Sequence, residues 1–583
     1  MRWGLRTAEP ARVQDLAENL LSDSALQLNN SHLASTLARL LVLRGITDIE
    51  SARHYLAPSL AHLHSPYLMT GMKAAIDRLD VAIERKEGIL IYGDYDVDGT
   101  TAIVILKTAI ELCGGAADFH VPHRIREGYG MKDDVIERAA AADIRLIISV
   151  DTGIRALDAA QTARRLGVDL IVTDHHLPGT DGVPSALAVL NPNQPGCDYP
   201  CKDLCGAGVA FKLAQGLMER RLAQNDQSRL LTSFMKMVAI ATIADAVPLT
   251  GENRVFAKLG LEALRSPVNV GLRALFEVAQ VGGRALNSGE VAFRVAPRLN
   301  AAGRMDVARD VIELFSVKDA VRAKEIANRL DQLNAERQEE ERRILDAIDA
   351  RFAEEPALHD AFCIVIDGDG WHRGVIGLAA SKIAERLNRP CVVISLDGDV
   401  GHGSARSIPA YHLFDGLTSC RELLQKFGGH SHAAGLSIHR DQIPEFRRRL
   451  NEHAASCLTE HDLMPALEID AEILPNALTF QLSQELRALE PFGAGNPRPV
   501  FGTRGLRVLS EPQIIKNQHL KLRVAGDDKR PLEAIWWRAV EDGEELPHIN
   551  QRIDLAYEFE ATRWQGDIRL QLNVRDMRLN GES

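Results

Sequence analysis

Three aspartates stand at alternate positions in Tyr92-Gly93-Asp94-Tyr95-Asp96-Val97-Asp98-Gly99, directly after the apolar run Ile-Leu-Ile. Carboxylates at the end of a buried strand cost free energy unless something positive sits among them. Divalent cations meet that need, because carboxylates are hard oxygen ligands. The pattern recurs: IISV leads into Asp151-Thr152-Gly153, LIVT leads into Asp174-His175-His176, and Asp245 interrupts the apolar run MVAIATIADAVPL. A single aspartate after a strand is more often an N-cap for the next helix. Four such places, one with adjacent histidines, make a donor set suited to manganese, magnesium or zinc and large enough for two ions. Two ions about 3.5–4 Å apart clamp a phosphoryl group for in-line attack and lower the pKa of a water between them. A nucleotide-binding glycine loop is the competing reading of GDYDVDGTT. It fails on charge, since a phosphate cradle is built from backbone N–H groups and a lysine.

The elements that must position these residues alternate. Strand GILIYGDY precedes helix TTAIVILKTAIELCGG; DFHVPHR, a helix near KDDVIERAAAA, strand IRLIISVDTG, helix RALDAAQTARRLG and strand VDLIVTDHH follow. Short apolar strands alternating with helices predict a parallel sheet covered on both faces, with ligands at the carboxyl ends of the strands. All four acidic places are expected at such ends. The first 75 residues read as helical, with SALQLNNSHLASTLARLLVLRG the clearest amphipathic run.

Residues 317–352 contain no Gly or Pro and are polar in the middle, which predicts a long helix linking two domains. From Phe362 short strands and helices resume, with glycine-rich turns expected between Gly398 and Gly435. After about Pro465 alternating strands predict a small β-barrel, the oligonucleotide-binding (OB) fold being the leading candidate. Between Arg498 and Arg530 there are eight Lys or Arg and three acids, a local reversal in a chain of net charge -12. Basic strands with aromatics follow a single nucleic-acid strand by pairing with its backbone and stacking on its bases. Trp536, Trp537, Tyr557, Phe559 and Trp564 are the candidate aromatics, part of them expected in the barrel core; alternation puts Trp536 and Trp537 on opposite faces.

The acidic balance excludes a uniformly basic nucleic-acid binder, and no run nears the ~20 apolar residues of a membrane span. Without an apolar leader at the start, the expectation is a cytoplasmic protein with reduced thiols. Cys197, Cys201 and Cys205 lack the second pair that a zinc site requires and read as incidental thiols.

The ordered strings YGDYDVDG, VDTG, TDHH and TIADAVPL resemble the four motifs of the DHH phosphoesterases. IYGDYDVDGTTA, EGYGM, CGAGVAFKL, APRLNAAGRM, WHRGVIGLAASKI, GSARSIPAYHLFDGL and KFGGHSHAAG are similar to the RecJ branch of that family, from about Ala75 to the C terminus. Thr152 departs from a cysteine common in relatives, beside a ligand rather than at one. The resemblance implies an α/β chain with an N-terminal helical segment (1–75), a parallel-sheet DHH catalytic domain (76–316), a connecting helix (317–352), an α/β DHHA1 domain (353–464) and an OB-like barrel (465–583). It implies two divalent ions, Mn²⁺ or Mg²⁺, with Asp96 and Asp98 on separate ions, Asp151 bridging, His175 and Asp245 completing one site, and Asp94 a nearby ligand. His176 would contact the scissile phosphate and Asp174 would orient the histidines. Ser404, Arg406 and Arg124 would bind phosphate near a 5′ end, with Arg304 and Arg373 as further candidates and Gly429 and His430 offering backbone and imidazole.

The activity so implied is 5′→3′ exonucleolytic hydrolysis of single-stranded DNA to 5′ mononucleotides, in repair and recombination. The implied partners are a helicase and a single-strand-binding protein, and the default state is a monomer. Hydrolysis of short oligonucleotides, or a non-catalytic DNA-binding scaffold, are the alternatives.

Overall fold

The apolar runs between residues 88 and 190 are too short for independent helices and too continuous for half-exposed strands, so they pack as buried strands. The computed structural model describes residues 1–23, 31–305, 308–539, 546–564 and 567–579. Strands Asp118–His120, Gly88–Tyr92, Ile144–Val150, Asp169–Thr173 and Ala188–Leu190 lie side by side in that order, every neighbouring pair parallel. Helices Val97–Leu112, Asp133–Ala141 and Leu157–Arg165 lie between them in the chain. The chain leaves Gly88–Tyr92 toward one edge and resumes on its other side at Ile144–Val150. Strand order therefore reverses between these two, and such a reversal opens a crevice at the carboxyl ends where ligands bind.

One expectation is corrected. Asp245 does not end a strand: MVAIATIA belongs to helix Gln224–Ala244, and Asp245 is its C-cap residue. The helix is buried from Val238 through Ile243, and an unbroken apolar run does not distinguish a buried helix from a buried strand.

Helix Ala320–Glu354, capped by Asp319 through the N–H groups of Val321 and Arg322, is the long linker. Its first half buries Ala323, Ile326, Ala327 and Leu330. Its second half places Ile344, Ile348 and Phe352 in one cluster with Ile364, Ile366, Trp371 and Ile383 of the following domain. That domain has a sheet ordered Leu424–Gly429, Ala433–His439, Val400–Arg406, Cys391–Asp397, Ile364–Asp369, antiparallel except for the last pair. Much of the segment expected as glycine turns is therefore strand. Gly401, Gly403 and Ala405 form the buried face of one strand, overlain by Ile394, Leu436 and Ile438.

The chain divides into two compact units, His64–Val247 with Leu259–Pro465, and Met1–Leu63 with Pro248–Lys258 and Ala466–Ser583. In the second unit strands Val500–Val508, Arg552–Trp564, Asp567–Leu579, Leu532–Trp536 and His519–Ala525 pair in sequence, and His519–Ala525 pairs back to Val500–Val508. That closure makes a five-stranded OB-type barrel. Leu16, Leu20, Leu37 and Leu41 of helices Pro10–Ser22 and Ser31–Val42 share its core with Phe501, Leu522 and Tyr557. Part of the run SALQLNNSHL falls on residues 24–30, outside those described. Tyr557 and Phe559 belong to the core, which removes them as stacking candidates; Trp536, the last residue of strand Leu532–Trp536, packs against it, while Trp537 is 55% exposed in the turn that follows, not on the opposite face of that strand. The Trp564 side chain lies outside the described residues.

Arg254 knits this unit together. It is 2% exposed, lies 3.6 Å over the Tyr55 ring, and donates to the carbonyls of Tyr55, Ala488, Leu489 and Glu490. Burial lowers its pKa to about 10, so the guanidinium stays charged at neutral pH. Arg254→Ala should leave buried carbonyls without donors and cost this unit about 3 kcal/mol or more. Arg254→Lys should restore little, lacking the planar fork. Four of the five tryptophans belong to this unit, so the expected lower melting transition is read by tryptophan emission; an unchanged transition would show that the fork contributes nothing.

Candidate metal centre and phosphate corner

The strand ends converge on one point. Asp94, Asp96 and Asp151 offer ligand atoms within 4.8 Å of one another, as do Asp98, His175 and Asp245, and Asp151, His175 and His176. His175 Nε2 lies 3.3 Å from Asp151 Oδ1, 3.8 Å from Asp98 Oδ2 and 3.8 Å from Asp245 Oδ2. Asp94, Asp98 and Asp151 are buried, and Asp94 Oδ1 and Asp151 Oδ1 accept no hydrogen bond.

Burial raises Asp94, Asp98, Asp151 and Asp245, and neighbouring carboxylates add to the rise. Asp94 is pushed well up by burial and then by Asp96. Asp151 is pushed well up by burial and then by Asp98, Asp96, Asp94 and Asp245. Asp245 rises through burial, Asp98 and Asp96, and Asp98 rises through burial against the opposing pull of His175. Burial lowers His175, which keeps its ring neutral with a lone pair to offer. Buried carboxylate oxygens without donors, facing a neutral imidazole, fit divalent cations. Asp96, Asp98, Asp151, His175 and Asp245 are the donors brought together, with Asp94 beside them.

The surrounding backbone is shaped to hold this cluster. The N–H groups of Gly206 and Ala207, opening helix Gly206–Arg221, donate to the two Asp98 oxygens at 2.6 and 2.7 Å. Gly206 is required by space, since a Cβ there would fall 2.5 Å from Asp151 Cβ. Gly303 is required likewise, its missing Cβ falling 2.1 Å from the Tyr95 carbonyl oxygen. Asn300 Oδ1, one turn before it, accepts the Val97 N–H. Asp151 itself sits at φ 58, a left-handed conformation costing a non-glycine residue roughly 1–3 kcal/mol and concentrated at functional sites. Asp96 also serves as the N-cap of helix Val97–Leu112, accepting the Gly99 N–H.

Asp174 is fully buried and holds the histidine pair. It accepts the backbone N–H groups of Ile154, His175 and His176, and lies 2.8 Å from His176 Nδ1. Burial works against its charge, but these bonds prevail and hold it below the ordinary carboxylate range. Burial likewise opposes a charge on His176, yet the Asp174 bond and charge carry its pKa upward. The Tyr129 hydroxyl lies 3.3 Å from the same Nδ1 and 3.4 Å from the Asp151 carbonyl oxygen.

Beside the carboxylates lies a cationic corner. The Arg124 guanidinium covers the Tyr95 ring at 4.7 Å. Arg304 donates to the Gly374 carbonyl at 3.1 Å. Arg406 Nη1 lies 3.3 Å from Ser404 Oγ, and both side chains face Gly377 in the first turn of helix Ile376–Leu387. Burial, then Arg124, Arg337 and, to a lesser degree, Arg406, lowers Arg304 to about 10; burial and Arg124 lower Arg406. Guanidiniums gathered beside a helix N-terminus are suited to an anion. His430, just after Gly429 at the end of strand Leu424–Gly429, is lowered by burial and by the charges of Arg155 and His176.

Arg373 is not brought into this group. It is exposed, with its guanidinium 3.1 Å from His402 Nδ1. The three cysteines considered for zinc join no metal-holding group among the described residues. Tyr129, Arg155 and Arg337 are the residues sequence reasoning missed. Tyr129 stood in EGYGM, a glycine-flanked tyrosine with no metal-ligand pattern around it to draw notice; Arg337 stood among the ordinary charges of the long helix, where it is tied to Asn334 and buried Glu341 at 2.6 Å each.

Comparison with known proteins agrees with this fold. Residues 88–242 match the DHH family N-terminal domain, 360–456 the DHHA1 domain and 469–576 the RecJ OB domain. The chain is 37% identical over 579 residues to the single-stranded-DNA-specific exonuclease RecJ of Bacillus subtilis, covering 99% of this chain and 70% of that one. It is 32% identical to the Escherichia coli RecJ, covering 93% and 96%. The crystal structure of RecJ from Thermus thermophilus in complex with Mn²⁺ is similar with a TM-score of 0.83 at 28% identity, covering 100% of this chain and 80% of that one. With its metal-donor cluster, its cationic corner and this similarity along its whole length, the chain belongs to the RecJ family of single-stranded-DNA-specific exonucleases.

Proposed function

We propose that this protein removes 5′ mononucleotides from single-stranded DNA in the 5′→3′ direction. The observation that carries the proposal is the adjacency of two groups of opposite charge: the carboxylates clustered about Asp94 and Asp96, which flank Tyr95 in the chain, and the Arg124 guanidinium over its ring. Two divalent ions, Mn²⁺ or Mg²⁺, would be held by Asp96 with Asp94 nearby, by Asp98, His175 and Asp245, and by Asp151 between them. When bound they neutralise the charge that develops on the phosphate and activate the attacking water. Arg124, Arg304, Ser404 and Arg406 bind the terminal phosphate, which fixes how far the strand enters. His430, with the Gly429 backbone, lies along the strand, and Arg373 has at most a peripheral part. With Nδ1 of His176 engaged by Asp174, Nε2 is left to face the scissile phosphate and, when protonated, to donate to its oxygen.

The barrel supports a single-strand partner. Trp537 is exposed with its ring edge-on to His519 at 4.8 Å, and Lys516 and Arg523 carry no ion pair among the described residues. Arg504 and Arg498 are engaged by Glu472 and Glu560, and Arg530 by backbone carbonyls, so the basic face is narrower than the raw count of charges. The five-part division at residues 75, 316, 352 and 464 is our working description of the chain. The same reading makes it a monomer in the cytoplasm acting with a helicase and a single-strand-binding protein; among the described residues no helix is long and apolar enough to cross a membrane.

Digestion of strands labelled at either end, with Mn²⁺ or Mg²⁺, tests polarity and strand preference. Loss of nucleotides from the 5′ end of single strands only is expected; equal attack on duplex, or digestion from the 3′ end, overturns the proposal. Asp151→Ala should abolish cleavage while strand binding, followed by fluorescence anisotropy, persists. His176→Ala should lower single-turnover cleavage by about 10²–10⁴-fold with metal binding retained. Because the barrel shares its core with residues 16–55, truncation would disrupt a folded unit. Trp537→Ala combined with Arg523→Ala is the cleaner probe: affinity for long strands should fall and depend less on salt, while cleavage of a dinucleotide is unchanged.

A further inference from the structure

One short turn reaches both halves of the site. Residues His123–Tyr129 lie between strand Asp118–His120 and helix Asp133–Ala141. Near its start is Arg124, over Tyr95 and near enough to Arg304 and Arg406 for its charge to act on both. At its end is Tyr129, whose hydroxyl meets His176 Nδ1 and the Asp151 carbonyl and whose ring stands edge-on to the imidazole at 5.7 Å.

The turn between them is knitted by its own hydrogen bonds. The N–H groups of Glu127 and Gly128 donate to the His123 carbonyl at 2.8 and 3.2 Å. The His123 N–H donates to Glu127 Oε1 at 2.8 Å, and His123 Nδ1 accepts from the N–H groups of Ile125 and Arg126. Glu127 Oε2 lies 3.3 Å from His120 Nε2, which ties the turn to the sheet. These bonds run from His123 to Gly128, which adjoins Tyr129, and so give a path by which displacement of Arg124 can pass to it.

Without an anion, Arg124 is repelled by Arg304 and Arg406. A phosphate dianion among them turns that repulsion into attraction and draws Arg124 inward. A ligand shifts a conformational equilibrium only through differential affinity for its two states, and this charge reversal supplies one. We propose that the His123–Tyr129 turn couples capture of the strand's 5′ phosphate by Arg124 to placement of the His176 imidazole by Tyr129. The terminal phosphate then accelerates hydrolysis itself and does not merely tighten binding. Tyr129 is a positioning residue, acting through His176. The inference rests on the reading that the arginine corner holds the terminal phosphate, and the test separates the two.

The first cleavage of a 3′-labelled single strand is followed under single-turnover conditions, with either a 5′ phosphate or a 5′ hydroxyl, as a function of enzyme concentration. The rate at saturation reports the hydrolytic step and the half-saturating concentration reports binding. For the wild type the saturated rate should be higher with the 5′ phosphate by about tenfold, within the usual range of coupling between sites. Tyr129→Phe, which removes one oxygen, should bring the phosphorylated strand down toward the hydroxyl rate while half-saturation stays within about twofold, an effect smaller than the coupling itself. Glu127→Ala, which leaves both end residues intact and loosens the turn, should also shrink the ratio, at an unchanged melting temperature. A ratio that survives either substitution overturns the coupling. A wild type that discriminates only in half-saturation overturns it too, and leaves the phosphate corner standing. A wild type with no preference in either quantity overturns the phosphate corner itself.

Discussion

The structure turns on the repulsion among buried carboxylates at the point where strand order reverses. Asp94, Asp98 and Asp151 are almost wholly out of water, Asp245 is close by, and burial together with neighbouring carboxylates makes each of the four harder to ionise. Left alone this arrangement opposes folding, and the rest of the domain concedes local cost to maintain it. Asp151 adopts a left-handed backbone, Gly206 gives up a side chain so that a helix N-terminus can reach Asp98, and Gly303 does the same so that Tyr95 and Asp96 stay seated. These costs are intelligible if cations complete the site.

The two charged halves also explain each other. Carboxylates suited to cations and guanidiniums suited to an anion stand beside Tyr95, the arrangement that the proposed reading assigns to a terminal phosphate and the first internucleotide phosphate. Neither half alone would distinguish an end from the middle of a chain. The long helix contributes through Arg337, held by Asn334 and Glu341, with Lys382 of the second domain closing on the same Glu341 at 2.8 Å. That buried polar knot lies where the sequence shows only an unremarkable run of charges.

Much of this was legible in the residues. Apolar runs ending in Asp94, Asp151 and Asp174 became parallel strands, because short continuous apolarity followed by a carboxylate has few other solutions. Asp245 was found for its chemistry but placed on the wrong element, since a helix buried all round has the same hydrophobic signature as a buried strand. Tyr129 escaped because a lone tyrosine in a glycine-flanked loop has no periodicity and no charge; only its distance to His176 reveals it. Tyr557 and Phe559 were ambiguous in sequence because alternation fixes which residues share a face, not which face is the core. Packing of residues 16–55 with the barrel carried no local signal either, being a contact between segments hundreds of positions apart.

The central claim is electrostatic, and thermal denaturation of the wild type and Asp151→Asn, each with chelator and with Mn²⁺, tests it most directly. Carboxyls whose pKa is raised on folding favour the protonated folded state, so stability without metal must fall as pH rises from about 4, the ordinary carboxylate range, through the raised values. The account predicts that Asp151→Asn melts above the wild type in chelator, by a margin that widens with pH, and gains much less from Mn²⁺. Equal melting in chelator at every pH, or equal stabilisation of both proteins by Mn²⁺, would contradict it.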